Sequence, residues 1–253
     1  MAILITGGIL VYSANDKGVP PVAQWKFNEG SGNYAYDSSG NGNTGSLVLA
    51  GSATSSAWVS GVYGSALQFD GSDDYVSVGS GTSMDVVTAA YSISFWAKFN
   101  AIPTTEGSFM ELMYKGLISS KGFSYCLFKT GGTLYLNLAK AGIASQLVAY
   151  AFSTGVWYHI TAVQNFSGGA PSTVTYYVNG VNVGSSSVNT TAYQSSVGYT
   201  AYIGANVDYP SALPMSGLID DVRIYNYALT PVQIKTLFNQ GAAVRFGPTE
   251  GLP

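Results

Sequence analysis

The sequence predicts an all-β protein, a two-sheet sandwich with one short C-terminal helix. Three observations point there. Short runs rich in β-branched and aromatic residues recur from about residue 22 to 226. Glycine-bearing turns separate them, and one segment near the end carries helix signals. The chain has 253 residues, 47% of them hydrophobic, which supplies a core for one large β domain. The expected division is an apolar N-terminal arm over 1–21, a sandwich over 22–244 and a tail over 245–253.

Taken in order, the opening MAILITGGILVYS is apolar, but Gly7 and Gly8 interrupt it. It falls short of the about 20 apolar residues of a membrane span. It also lacks the basic start and A-x-A site of a secretory signal. Its β-branched residues favour two short β pieces hinged at the glycines. Such an arm packs either on its own domain as an extra strand or on a neighbouring subunit.

Strand-like runs follow at 22–27, 66–70, 75–78, 91–99, 123–129, 133–139, 156–164, 172–179, 200–206 and 217–226. In SISFWAKF, Ile93, Phe95 and Ala97 face one way and Ser94, Trp96 and Lys98 the other. Asp70-Gly71, Gly131-Gly132 and Asn179-Gly180 read as turns, the last as a tight hairpin. In LTPVQIKTLFNQG, Thr230 caps a helix, Pro231 takes the first helical position, Gln233 completes a capping box and Gly241 stops it. Ile234, Leu237 and Phe238 form the face that docks on the sandwich.

Charge excludes several functions. Only 9% of residues are charged, and the formal net charge is −3. A nucleic-acid binder needs cations to replace those released from phosphates, and this chain has ten Lys and Arg in all. One cysteine, Cys126, excludes an internal disulfide, and one histidine, His159, excludes a His-cluster metal site.

Three stretches carry a family resemblance. WKFNEGSGNYAYDSSGNGNTGSL (25–47), GSALQFDGSDDYVSV (64–78) and GLIDDVRIYNYALTPVQIKTLFNQG (217–241) resemble, in order and spacing, laminin-G-like domains of the concanavalin A-like lectin/glucanase superfamily. WYHITAVQN (157–165) and VTYYVNGVNVGSS (174–186) match the paired strands between them. The resemblance implies an antiparallel two-sheet jelly-roll sandwich. It leaves function open, because the fold hosts lectins, glycanases, adhesion modules and structural domains.

The residues argue against an enzyme. The E-x-D-x-x-E type strand of the superfamily's glucanases is absent, and Glu106 and Glu111 are spaced for opposite faces of a strand. Asp73-Asp74 and Asp220-Asp221, as adjacent pairs, are also expected on opposite faces. No G-x-S-x-G elbow accompanies His159, which reads as a structural residue on a strand, and Cys126 as a buried, inert thiol.

Two binding sites are expected. The loop YDSSGNGNTG (36–45) is dense in oxygen donors. In similar domains a structural calcium lies where this loop meets the last strand, so the resemblance implies a Ca²⁺ set of Asp37, Asn41, Asn43, Asp220 and Asp221. The competing reading is Asx turns that shape the loop, with Arg223 as a partner for Asp221. For glycans, the irregular regions 103–122 and 187–214 supply Asn206, Asp208 and Tyr209 first, then Tyr114 and Lys121, with an ordinary polar loop as the alternative.

These readings combine into a non-catalytic subunit of a surface assembly, extracellular or on a virion. Its arm engages copies of itself or other assembly proteins, and its lectin-like loops meet glycans. No nucleic-acid partner and no membrane span are expected. A free-standing calcium-dependent carbohydrate-binding module is the alternative, and a glycan-active enzyme a distant third.

Overall fold

The computed structural model describes residues 19–49, 57–85, 90–117, 121–140, 146–165, 172–188, 195–207 and 214–240. The arm up to residue 18 and the tail beyond 240 lie outside the described residues.

Sixteen strands form two antiparallel sheets among the described residues. The first sheet holds β1 (Ala23–Trp25), β4 (Trp58–Ser60), β5 (Ser65–Asp70), β7 (Tyr91–Phe99), β12 (Trp157–Asn165), β13 (Ser172–Val178), β14 (Val181–Val188) and β16 (Ser216–Tyr225). Its order is β14-β13-β12-β7-β16-β5-β4, with β1 also on β16. The second runs β11-β10-β9-β8-β15-β6-β3-β2. Its members are β2 (Tyr34–Ala35), β3 (Gly45–Val48), β6 (Tyr75–Ser77), β8 (Phe109–Leu117), β9 (Lys121–Thr130), β10 (Thr133–Lys140), β11 (Gln146–Ala149) and β15 (Ala201–Ile203).

The core lies between the sheets and follows the expected alternation. Ile93, Phe95, Ala97 and Phe99 of β7 join it with Ile160 and Ala162 of β12 and Leu136 and Leu138 of β10. Trp96 points the other way, with its ring stacked 5.6 Å from Phe238. The hairpin at Asn179-Gly180 has φ of 51° and 75°, both left-handed, as its sequence predicts.

Helix α1 (Pro231–Asn239) has the expected capping box. Its Ile234 and Leu237 pack with Val163, Tyr177 and Tyr225 in a second, smaller cluster on the outer face of the first sheet.

Region 103–122 departs from expectation. Residues Phe109–Leu117 of it form β8, paired with both β9 and β15. Its residues from Met110 to Gly116 are buried on both faces, so the alternation that marks a half-exposed strand is missing.

The placement of β1 matters most for function. β16 pairs with β7 along one edge. Along its other edge, Ser216–Ile219 pair with β5 and Val222–Ile224 with β1. Two strands from distant parts of the chain therefore share one edge, end to end. At the junction β16 carries a bulge over Asp220 and Asp221, and Asp221 has a φ of 48°. Ile219 and Val222 flank the pair and both face the core. Both aspartates thus lie outside the core cluster, because the extra residue breaks the opposite-face rule for neighbours.

Candidate functional site at the split strand edge

The junction of β1, β5 and β16 opens a cleft of about 200 Å³. Gln24, Lys26 and Asn28 line it from β1 and the chain after it, Tyr63 from the turn before β5, Asp221 and Arg223 from the bulged β16, and Gln240 from the end of α1. That volume is below the about 300–1,000 Å³ of drug-sized pockets, so it suits one small ring rather than a large ligand.

Its polar groups are held in place. Arg223 grips Asp221 with two bonds, Nε to Oδ1 at 3.0 Å and Nη2 to Oδ2 at 2.6 Å. The same Nη2 donates to Gln240 Oε1 at 2.8 Å, and Gln24 Nε2 donates to Asp221 Oδ1 at 2.9 Å. Burial works against the Arg223 charge, but the adjoining Asp221 carboxylate outweighs it and raises the guanidinium pKa.

Tyr63 is fixed from below. Asp220 Oδ2 accepts the backbone N–H groups of Val62 and Tyr63 at 2.8 and 3.0 Å. The Tyr63 ring rests edge-on against Trp96, with centroids 6.1 Å apart. Burial pushes the Asp220 carboxyl up to about 7, although the two N–H bonds favour its charged form.

A second cleft of about 360 Å³ lies between α1 and the end of β16, lined by Tyr225, Tyr227, Leu229, Gln233, Thr236 and Leu237. Gln240 borders both clefts.

The residues expected to hold calcium are not brought together as one set. Asp37 Oδ1 accepts the N–H groups of Gln24 and Ser39 at 3.0 and 2.8 Å. Its Oδ2 accepts Ser39 Oγ–H, Asn43 N–H and the Asn43 amide at 2.8, 2.9 and 2.9 Å. Burial acts to raise its pKa, yet these bonds bring it below the usual value. Five donors occupy the lone pairs a cation would need, and the Asn41 and Asn43 amides donate to Val22 O. Asp220 and Asp221 serve the cleft instead. Asp37, Asp220 and Asp221 do not place ligand oxygens within 4.8 Å of one another. The loop therefore has the geometry of the competing reading, an Asx-type turn that ties β1 to the chain after it.

Of the expected glycan residues, the structure describes the side chains of Tyr114 and Asn206. Tyr114 is 1% exposed in β8, stacked on Tyr202 at 6.4 Å, and its hydroxyl donates to Gly116 O. Its ring meets protein and offers no platform. Asn206 is 6% exposed and its side chain bonds to Glu111, which is wholly buried and also accepts Ser124 Oγ–H at 2.7 Å. Lys121 begins β9, but its side chain lies outside the described residues, as do Asp208 and Tyr209.

Gln24, Lys26, Asn28, Tyr63 and Gln240 were not singled out by sequence. The one available hint was a strand containing two adjacent aspartates followed by an arginine, which here marks the bulge.

His159 and Cys126 stand as their local sequences suggest. His159 is 3% exposed, accepts from or donates to Ser94 Oγ at 2.9 Å, and burial pulls its pKa down to about 4. Its Nδ1 is buried without a partner, so no carboxylate orients the ring as a triad requires. Cys126 is buried, and burial raises its thiol pKa.

A family model of the concanavalin A-like lectin/glucanases superfamily matches residues 70–235. No curated protein matches the chain by sequence. Among solved structures, domain 4 of an extracellular GH43 arabinanase from Geobacillus stearothermophilus, in complex with arabinotriose, aligns with a TM-score of 0.61 and 21% identity over 86% of this chain and 98% of that one. The receptor-binding domain of the botulinum neurotoxin C/D mosaic serotype aligns at 0.62 and 17% identity, over 87% of this chain and 51% of that one. The binding domain of botulinum neurotoxin DC in complex with SialylT gives 0.61 and 16% identity, over 87% and 51%. At these identities the likeness is one of fold, and this chain spans about half of the neurotoxin chains.

Proposed function

The chain belongs to the concanavalin A-like lectin/glucanases superfamily, and from that premise we propose that it is a non-catalytic glycan-binding module of a surface assembly. The observation that carries the binding half is the cleft at the split edge of β16. Sugar hydroxyls both donate and accept, and Gln24, Asn28, Asp221, Arg223 and Gln240 present amide, carboxylate and guanidinium groups around one small opening. Tyr63 adds a ring for the apolar face of a sugar. Arabinotriose in the arabinanase domain and SialylT in the neurotoxin domain are consistent with this reading.

The non-catalytic half rests on chemistry. Glycoside hydrolysis uses two carboxyl groups across the scissile bond. Asp221 is the one acid lining the cleft, and Arg223 and Gln24 hold it. Glu106 is spent on the N–H groups of Gly131 and Gly132, and Glu111 is sealed beside Ser124.

A glycan array followed by calorimetric titration of each hit tests the reading. Tyr63→Ala and Lys26→Ala alter groups that are partly or fully exposed, and each is expected to weaken binding by about 1–2 kcal/mol, roughly 5- to 30-fold. Unchanged binding in both variants would place the site elsewhere, and an array without hits would remove the lectin reading.

The assembly half rests on the composition of the arm and on where it is delivered. Val22 N–H bonds Ile224 O at 2.8 Å and the Tyr227 hydroxyl bonds Val19 O at 2.8 Å, so the residues that follow the arm lie beside the end of β16. No helix among the described residues is long and apolar enough to cross a membrane. We place the protein outside the cell or on a virion surface. Electron microscopy and mass determination should show oligomers or filaments for the full chain and monomers after deletion of residues 1–18. Monomers in both cases would favour a free-standing carbohydrate-binding module.

A further inference from the structure

The cleft at the split edge of β16 is lined by two cations and one acid, Lys26, Arg223 and Asp221. Building on the glycan reading of that cleft, we propose that its ligand is an acidic sugar, one whose carboxylate or sulfate group pairs with Lys26.

Arg223 and Asp221 cancel one another. The guanidinium closes onto the carboxylate through Nε and Nη2. That pair is the one salt bridge among the described residues, so Lys26 stands without a carboxylate partner there. The acid nearest to it in sequence, Glu29, accepts Tyr36 N–H at 2.7 Å. Asp220, under Tyr63, is wholly buried and accepts the Val62 and Tyr63 N–H groups, and burial pushes its carboxyl up to about 7. The strand pattern sets the side on which Lys26 lies. Trp25 and Phe27 are buried in the core, while Gln24, Lys26 and Asn28 alternate with them and line the cleft. Lys26 is exposed, so an incoming ligand can meet it. One positive charge is left for that ligand to match.

The amides of the cleft lean the same way. Asn28 Oδ1 accepts Ser65 N–H at 3.1 Å, and Gln240 Oε1 accepts from Arg223 Nη2 at 2.8 Å. Both partners can only donate, so each amide is fixed with its oxygen engaged and its NH2 group left over. Gln24 is the reverse, because Nε2 donates to Asp221 Oδ1 at 2.9 Å and its oxygen is left over. The groups still open to a ligand are therefore an ammonium and two amide NH2 groups, against one amide oxygen. A neutral hydroxyl can meet either kind, but it leaves the charge of Lys26 unmatched. An anionic group accepts from the surplus donors and matches that charge, and charge-assisted bonds are the stronger ones. At about 200 Å³ the cleft admits one such ring, whose apolar face Tyr63 can take.

The test is NMR titration of the full chain with methyl glucuronide, N-acetylneuraminic acid and sulfated glucose, each compared with neutral methyl glucoside. The three acids separate a uronate, a sialic acid and a sulfate as the source of the charge. At least one acid is expected to bind roughly fivefold more tightly than the neutral sugar. That gap should narrow between about 0.1 M and about 1 M NaCl, where charges are screened beyond about 10 and about 3 Å. Lys26→Gln should close the gap and Lys26→Glu should invert it, with circular dichroism checking that each variant is folded. Equal binding of acids and neutral sugar would overturn the proposal, and a continued loss in Tyr63→Ala would then leave the glycan reading standing. A gap of undiminished size in Lys26→Gln would overturn the role of Lys26. Failure of all three acids to bind would also overturn it, and the glycan array decides whether the wider reading falls with it.

Discussion

Asp220 and Glu111 are carboxyls enclosed by the fold without a cation beside them. Burial raises them to about 7 and about 8, against partial opposition from their hydrogen bonds. A carboxyl whose folded pKa exceeds its unfolded value binds its proton more tightly when folded. Its contribution is therefore complete below about pH 4 and is lost as pH rises through the folded value. His159 acts in the opposite sense: its folded pKa of about 4 means that stability falls as pH drops below its unfolded value of 6.5. Asp220→Asn keeps an oxygen for the Val62 and Tyr63 N–H groups and removes the charge. It should raise stability by about 1–2 kcal/mol at pH 8.5 and leave it nearly unchanged at pH 4, read by thermal melts at the two pH values. At this scale the sequence was informative about His159 and Cys126, whose apolar neighbours announce burial. It did not foretell that Asp37 and Asp220 accept backbone N–H groups, because donor-rich segments look alike whether their acids hold a metal or hold the backbone.

The hairpin from β13 to β14 and the start of α1 are held by local chemistry, and both were legible for that reason. Gly180 combines a φ of 75° with a close neighbour, since a Cβ there would stand 3.3 Å from Phe238 Cδ1. Gly180→Ala is expected to destabilise by about 1–2 kcal/mol, through backbone strain and displacement of the helix. Thr230→Ala removes the side chain that accepts Gln233 N–H and should cost about 1 kcal/mol. Chemical denaturation of each variant measures both. Strands β7 and β12 were legible through alternation. β8 was not, because residues such as Leu112 and Tyr114 fill both of its faces. β2 and β4 have two and three residues, too few to show a period.

For the molecule as a whole, the sandwich was readable and the cleft was not. The pattern that predicts a strand says nothing about which partner it finds. The cleft exists because β1 and β5, far apart in sequence, meet the same edge of β16. That arrangement also governs time. The register that joins Gln24 to Arg223 closes almost the entire chain into a loop, and closure over such a span delays folding. With three residues, β1 has little to hold it in place until β16 is present. Truncating β1 should therefore hasten unfolding far more than it slows refolding, as stopped-flow fluorescence would show. A chain emerging during synthesis would own most of its hydrophobic interior before it owned the cleft. On the proposed reading, recognition would switch on only when the last strand arrives, so that unfinished copies stay silent toward a glycan.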